Sequence, residues 1–375
     1  MNEFDKLTLE LTKKLTLTEK KEYGIYFTPQ NAIKTLVNNI PIKAKNILEP
    51  SCGSGEFIKY FNDNNITGLE INKTIYNKIK NKYRSILNID FLKYDKTNIH
   101  DLIIGNPPFF TIKTNYISDL IYGRQNIYIL FIIHSMKLIK NNGIIAFIIP
   151  INFMNSSYYN KIRKEIYHNW KIIDFIKYDD NIFIDTKQNV FGLIIQKTTG
   201  DNNKFVYIRK DTQYYFVFNK NILPSNNYKT LKDLGYFVGV GTIQWDVNKD
   251  LFVDKSKTIL IYSSDINNNK LILKNKKYRY LSKDVKYLKE PMLILNRGYG
   301  NAKYNMNITL IDGTFNFQLE NHVLFIKHQN NTSILELKKI QKSLQSDKTK
   351  EFINNLFYNN AINCFELSNI IPIWF

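Results

Sequence analysis

Asn46-Ile47-Leu48-Glu49-Pro50-Ser51-Cys52-Gly53-Ser54-Gly55-Glu56-Phe57 is the stretch that decides the fold. Ile47 and Leu48 give a short buried strand that stops at a carboxylate, and Gly53-Ser54-Gly55 then turns the chain into a helix carrying Phe57, Ile58 and Phe61. A glycine loop between strand and helix lies at the carboxyl edge of a sheet, where open α/β folds bind their ligands. Outward from this unit the alternation repeats. Upstream, Thr28-Pro29 followed by Ala32, Ile33, Leu36, Val37 and Ile40 reads as an N-cap, an N1 proline and the apolar stripe of a helix over 29–39. Downstream, the pattern gives strands over 66–71, 85–89 and 100–104, a helix over 74–82, and a helix over 125–140 ended by Asn141-Asn142-Gly143. The run 144–149 is apolar enough for a strand buried on both faces. A helix near 158–167 and strands near 171–176 and 190–196 complete a doubly wound, mostly parallel α/β sheet with right-handed crossovers.

Past Gly200-Asp201-Asn202-Asn203 the alternation stops, and Pro224-Ser225-Asn226-Asn227 has the composition of a linker. A chain of 375 residues is long for one domain. The expectation is a Rossmann-like catalytic domain over 1–224 and a smaller mixed α+β domain over 231–375, with strands near 258–262 and 292–295 and a late helix near 349–357.

The formal charge of +19 points to a polyanion, because lysines facing phosphates release counterions and hold nucleic acid without reading its sequence. A coding bias toward Lys, Asn and Ile would produce the same charge with no partner at all. Aromatic residues make up 14% of the chain, enough for some to stack on unpaired bases after the core is filled. Cys52 and Cys364 stand far apart, which excludes a disulfide framework and fits a reducing cytosol. No metal-ligand spacing is present. The longest apolar runs, 127–133 and 144–151, fall short of the roughly 18 residues a membrane span needs, and 1–14 has no signal-peptide core, so a soluble cytoplasmic protein is expected.

The glycine loop is not the dinucleotide G-x-G-x-x-G, and it lacks the Lys-Ser/Thr pair of a phosphate loop. A zwitterionic ligand suits Glu49 better than a pyrophosphate does. The next strand ends at Glu70, an acceptor for ribose hydroxyls, and the third at Asp90-Phe91, an acceptor for an adenine amino group beside an apolar ring. Each acid alone is as often a solvated turn residue. Three in succession on one sheet edge match amino acid, ribose and adenine, which together make S-adenosylmethionine.

Directly after the apolar run 101–105 comes Asn106-Pro107-Pro108-Phe109. Asn-Pro also marks plain turns. Its functional reading is a cradle for an amino group on a flat ring, whose nitrogen lone pair is delocalised and must be localised before it can be alkylated. The Asn106 side-chain oxygen and a carbonyl freed by the Pro-Pro kink, that of Pro107, can each accept one N–H, and Phe109 can stack on the ring.

The order Thr28-Pro29, Glu49 to Phe57, Glu70, Asp90-Phe91 and Asn106 to Phe109, followed by a variable carboxyl-terminal region, resembles the gamma-class adenine-N6 DNA methyltransferases of the TaqI type. The likeness covers most of the chain, and 142–150 and 190–197 look like that family's last sheet strands. It implies a site-specific enzyme of a restriction-modification system that moves a methyl group from S-adenosylmethionine to N6 of an adenine flipped out of double-stranded DNA. It further implies that Thr28, Glu49, Ser51, Gly53, Gly55, Glu70, Asp90 and Phe91 hold the cofactor and that Asn106, Pro107 and Phe109 hold the base. Phe109 departs from the tyrosine of the TaqI enzyme and loses a phenol hydroxyl. The family's second aromatic wall falls at or near Ile195, with Phe191 a few residues away.

For the DNA, the expected contacts are Lys113, Asn115 and Tyr116 on the methylated strand and the glycine-bent loop of Arg297 to Lys303 in the major groove, with Gln244 and Trp245 as weaker candidates. The protein is expected to act as a monomer, without metal, with any cognate endonuclease acting separately. Three rivals stay open: methylation of glutamine amides in release factors, methylation of adenine in RNA, and an inert methyltransferase fold used as a DNA-binding module. The basic charge and the region after Leu231 disfavour the first, and the intact motif disfavours the last.

Overall fold

Short apolar strands that bury both faces need helices above and below them, and the first half of this chain supplies both in alternation. The computed structural model describes residues 4–61, 65–112, 118–121, 123, 125–179, 182–183, 188–210, 212–225, 227–296, 306–330, 333–358 and 361–375. The chain divides into two compact units, Met1–Lys220 and Asn221–Phe375.

In the first unit, helices α1 (Lys6–Lys14), α2 (Leu17–Tyr23) and α3 (Gln30–Asn38) precede β1 (Ile47–Glu49). Then follow β2 (Ile66–Leu69), α4 (Lys73–Ile79), β3 (Ile86–Leu87), β4 (His100–Gly105) and the small pair β5 (Thr111–Ile112) and β6 (Gln125–Asn126). Helix α5 (Ile127–Leu138), β7 (Ile139–Pro150), α6 (Asn160–Asn169), β8 (Lys171–Lys177) and β9 (Val190–Gln196) close the main sheet, and β10 (Val206–Arg209) pairs with β11 (Gln213–Phe216) as a hairpin. The seven-stranded sheet has the order β3-β2-β1-β4-β7-β9-β8. Strands β3 through β7 in that order run parallel, and β9 runs antiparallel to both its neighbours.

Alternate residues of the central strands face one layer, so Leu102 and Ile104 of β4 and Ile144, Ala146 and Ile148 of β7 share a cluster with Leu11, Ile33, Leu36, Ile75 and Ile79 from the helices. That layer carries α1, α3 and α4 on one face of the sheet. The doubly wound, mostly parallel architecture expected from the sequence is the one observed.

Helices α1 and α2 and the β10–β11 hairpin were not among the expected elements, and two expected helices differ from their expected form. The helix after the glycine loop is only a 3-10 turn, Ile58–Tyr60; Phe61 is already extended, and the Asn- and Asp-rich sequence that follows has low helix propensity. The helix over 125–140 is shorter at both ends. Asn126 caps it by accepting from the Tyr128 N–H, and Ile139 to Gly143 belong to β7, bulged at Asn142 (φ 62°) where the register against β4 shifts.

The second unit holds an antiparallel sheet of β12 (Tyr236–Val240), β21 (Val323–His328), β18 (Met292–Asn296) and β19 (Ile308–Ile311). A second sheet orders β13 (Phe252–Val253), β17 (Tyr280–Leu281), β14 (Thr258–Ile261) and β20 (Asn316–Leu319), and β15 (Ile266–Asn267) pairs with β16 (Lys270–Leu271). Three helices, α7 (Ile334–Leu344), α8 (Asp347–Leu356) and α9 (Cys364–Asn369), end the described chain; α7 and α9 were not among the expected elements. Inside this unit Arg279 forks onto Asp265 at 2.6 and 3.0 Å, a buried bidentate pair.

Candidate active site

Strand β4 delivers Asn106 to the sheet edge, and two acceptors then fix its amide. Nδ2 donates to the Tyr26 carbonyl and to Thr28 Oγ1, both at 3.0 Å. A carbonyl can only accept, so the amide nitrogen must face Tyr26 and the oxygen must face the other way. That oxygen, Oδ1, is buried and has no partner. Leaving such an acceptor unmet costs about 1–3 kcal/mol, so a donor brought to it would recover that cost.

Thr28 was expected to cap the following helix. Instead Pro29 occupies the N-cap position of α3 with no side-chain bond, and the Thr28 hydroxyl is used by Asn106. Ser51 Oγ donates to the Asn106 carbonyl at 3.2 Å, which ties the glycine-loop segment to the Asn-Pro-Pro-Phe turn. Gly24, at φ 60°, lets the turn after α2 press against the same motif; a Cβ there would come within 3.0 Å of the Phe109 nitrogen and the Pro108 Cβ. Tyr26 and Gly24 carry no sequence signal of this role, because one acts through its carbonyl and the other through absent atoms.

The half-buried Phe109 ring meets Tyr128 edge-on at 6.0 Å and Phe183 at 6.4 Å with 73° between planes. Phe183 lies in the segment between β8 and β9. Ile195 requires correction: it sits inside β9, paired to Ile145 and Ile172 and with no exposed surface, so it forms no pocket wall. Phe191 is likewise fully buried, in edge contact with Phe175. Lys113, Asn115, Tyr116, Arg297 and Lys303 lie outside the described residues. Gln244 and Trp245 are exposed, with Trp245 stacked on Tyr278 at 5.8 Å.

Along the same edge, β1 presents Glu49, whose Oε2 is buried and without a partner. After β2, Glu70 accepts from the Gly53 N–H at 2.9 Å and the Asn72 N–H at 2.7 Å. Gly53 and Gly55 adopt φ of 51° and 80°; a Cβ on Gly53 would meet only the Phe27 ring at 3.6 Å, whereas one on Gly55 would strike Tyr83 at 2.3 Å. Beyond β3, Asp90 caps a 3-10 turn by accepting from the Leu92 N–H at 3.0 Å. Phe91 is buried against Phe131 of α5 at 4.7 Å.

Burial first, then the charges of Glu70 and Glu56, pushes the Glu49 carboxyl well above the usual carboxylate range. Burial likewise raises Glu70 to about 7, opposed by the Asn72, Gly53 and Ile71 backbone donors. The Cys52 thiol is pushed up by burial and then by Glu49 and Glu70. Burial thus holds these carboxyls toward their neutral forms, and a cation placed beside them would favour the ionised ones. Among the described residues no group of His, Cys, Asp and Glu has the arrangement to hold a metal ion, and no helix is long and apolar enough to cross a membrane.

The model of the Eco57I restriction-modification methylase family matches residues 3–183. The chain is similar to "Modification methylase CviBIII" of Paramecium bursaria Chlorella virus NC1A, 30% identical over the whole of both chains. It is 29% identical to "Type II methyltransferase M.CvrRI" of Paramecium bursaria Chlorella virus XZ-6E, over 97% of each. Among solved structures, the Type IIL restriction-modification enzyme MmeI in complex with DNA superimposes with a TM-score of 0.51 at 14% identity, covering 96% of this chain and 66% of that one, a likeness of fold.

Proposed function

The chain belongs to the Type II restriction-modification DNA methyltransferases, with S-adenosylmethionine as methyl donor, and from that premise we propose that it methylates N6 of an adenine turned out of duplex DNA. The observation that carries this reading is the Asn106 amide: its nitrogen is anchored twice, and its oxygen is buried, unmet and adjacent to an aromatic ring. An exocyclic ring amine supplies the donor that Oδ1 lacks.

The residues on the cofactor edge fit the donor. Glu49 has an orphaned oxygen for its ammonium group, Glu70 offers its carboxylate to the ribose hydroxyls, Gly53 leaves the backbone open to approach, and Asp90 keeps a second oxygen for the adenine amino group. When bound, S-adenosylmethionine supplies an electrophilic methyl group on a sulfonium.

The protein's own part is mainly positioning. Asn106 Oδ1 and the Pro107 carbonyl accept the two amine hydrogens and draw the nitrogen toward tetrahedral geometry, so that its lone pair can attack in line. Phe109 covers one face of the base. Phe183, not Ile195, is the residue for the other, and both rings offset the unstacking cost of a few kcal/mol. No strong base is needed before transfer, since the surplus proton can pass to solvent afterwards. Target reading falls to the second unit, with Arg297 and Lys303 as candidates there, and Lys113 and Tyr116 meet the methylated strand. Any cognate endonuclease acts as a separate chain.

The test is to incubate the protein with labelled S-adenosylmethionine and duplex DNA and to identify the modified base by nuclease digestion and mass spectrometry. N6-methyladenine at one short sequence is the expected product. N4-methylcytosine, or labelled RNA or protein with unlabelled DNA, would overturn the reading. Asn106→Ala should lower transfer by at least about a hundredfold, because in-line attack depends on the positioning it supplies, while cofactor binding stays near normal.

A further inference from the structure

The glycine loop is gripped from two sides. From within the cofactor cleft, Glu70 accepts the Gly53 N–H; from outside, the amino-terminal helix α1 holds Ser54 and Glu56, the residues on either side of Gly55. Thr8 is fully buried, its Oγ1 lies 2.8 Å from Ser54 Oγ, and it donates to Glu56 Oε1. A hydroxyl has one proton, so with Thr8 donating to Glu56 the Ser54 hydroxyl must donate to Thr8, giving a directed relay that ends on a buried carboxylate. The other oxygen of Glu56 accepts from Lys59 Nζ at 2.8 Å, and Lys59 in turn reaches Asp5.

Asp5 also begins the helix: its Oδ1 accepts the Leu7 and Thr8 N–H groups at 2.9 and 3.2 Å. One carboxylate thus sets the start of α1 and, through Lys59, the end of the loop. The helix cannot slide to relax these bonds, because Leu11 and Leu15 are locked into the same apolar cluster as Phe57 and Ile58 at the foot of the loop. Since Gly55 holds φ 80° hard against Tyr83, a small change at Ser54 or Glu56 passes directly to Gly53 and Cys52.

We propose that Thr8 and Asp5 are positioning residues for the cofactor, acting as a clasp that holds the glycine loop in its binding shape without touching the ligand. The proposal rests on the reading of Glu49, Glu70 and the loop as the S-adenosylmethionine site. A clasp of this kind has a separable signature. It moves cofactor affinity, and it leaves the affinity for DNA unchanged.

Calorimetric titration of the full chain with S-adenosylmethionine tests it. Thr8→Val keeps the shape of the side chain and removes the hydroxyl; one hydrogen bond to a buried charged group corresponds to a Kd raised about tenfold. Thr8→Ser should restore binding to within about twofold of the parent, since the relay needs only the hydroxyl. Lys78→Ala loosens α1 at its exposed pair with Glu10, away from the loop, and should leave Kd unmoved. Should Thr8→Val not fold, Asp5→Asn at a partly exposed position reads the same clasp through Lys59, with Kd raised about threefold. Unchanged Kd in the clasp variants, no rescue by serine, or equal loss in Lys78→Ala would each overturn the proposal. Glu70→Ala separates the two readings: lost binding there with unmoved clasp variants ends the clasp alone, and retained binding ends the site assignment and the clasp with it.

Discussion

Glu70 and Glu49 carry the same residue type to the same sheet edge, and burial makes both reluctant to ionise. For Glu70 the folded carboxyl titrates at about 7 against 4.5 for an ordinary glutamate. Below the lower value both folded and unfolded chains hold the proton; between the two, only the folded chain does, so the stability linked to this group falls as pH rises through the window and stays lost above it. His100 works in the opposite direction, its burial and then Lys96 lowering it to about 4, so it costs stability as pH falls from 6.5. The informative quantity is therefore a difference. Melting temperatures of the cofactor-free parent and Glu70→Gln should diverge between pH 4.5 and about 7, with the variant losing less on the way up. Parallel curves would mean that Glu70 is solvated and not the buried acid described. S-adenosylmethionine, a cation, selects ionised carboxylates and should bind more tightly as pH rises across the same interval. That Glu49, Glu70 and Asp90 stand at strand ends was legible from hydrophobic runs that stop at an acid. That Thr28 serves Asn106 and not its own helix was not, because side-chain partners 78 positions apart leave no local trace.

The pair β8 and β9 shows where reading elements from sequence succeeds and where it stops. Both strands follow from their β-branched and aromatic runs, and β9 begins and ends where the pattern puts it. The residue proposed to face the base opposite Phe109 does not follow, because a contact between residues 74 positions apart decides it. Counting along β9 leads to Ile195, which the sheet buries; the ring found beside Phe109 is Phe183, seven residues before β9 begins. The helices α7 and α9 escaped for a related reason. Their apolar positions answer a local core built by strands distant in sequence, such as β12 and β19. Replacing Phe183 by alanine should raise the KM for DNA by about tenfold or more, the value of one aromatic surface stacked on a base, and leave the Kd for S-adenosylmethionine within about twofold. Phe183→Tyr should retain most activity, since stacking survives. Steady-state kinetics with each substrate varied in turn separates the two effects, and equal losses for both substrates would return Phe183 to an ordinary core role.

Across the whole molecule, charge is divided by function. The chain carries +19, yet the cleft proposed to receive a cationic cofactor is lined by the buried carboxyls of Glu49 and Glu70. On the proposed reading, DNA meets the basic surface and S-adenosylmethionine the buried carboxyls, and salt acts on the two differently. DNA is held largely by counterion release, so its affinity falls steeply with ionic strength; six to ten phosphate contacts lose about 10³- to 10⁵-fold between roughly 50 and 200 mM salt. Charges buried out of water are screened far less. Raising salt across that range should therefore weaken duplex binding by orders of magnitude, measured by fluorescence anisotropy, and shift the Kd for S-adenosylmethionine by less than about twofold, measured by calorimetry on the same preparation. A cofactor affinity that fell as steeply as that for DNA would require its ammonium and sulfonium to be paired with solvent-exposed groups. Such a result would remove Glu49 and Glu70 from the site, since neither is reachable by bulk ions in this fold.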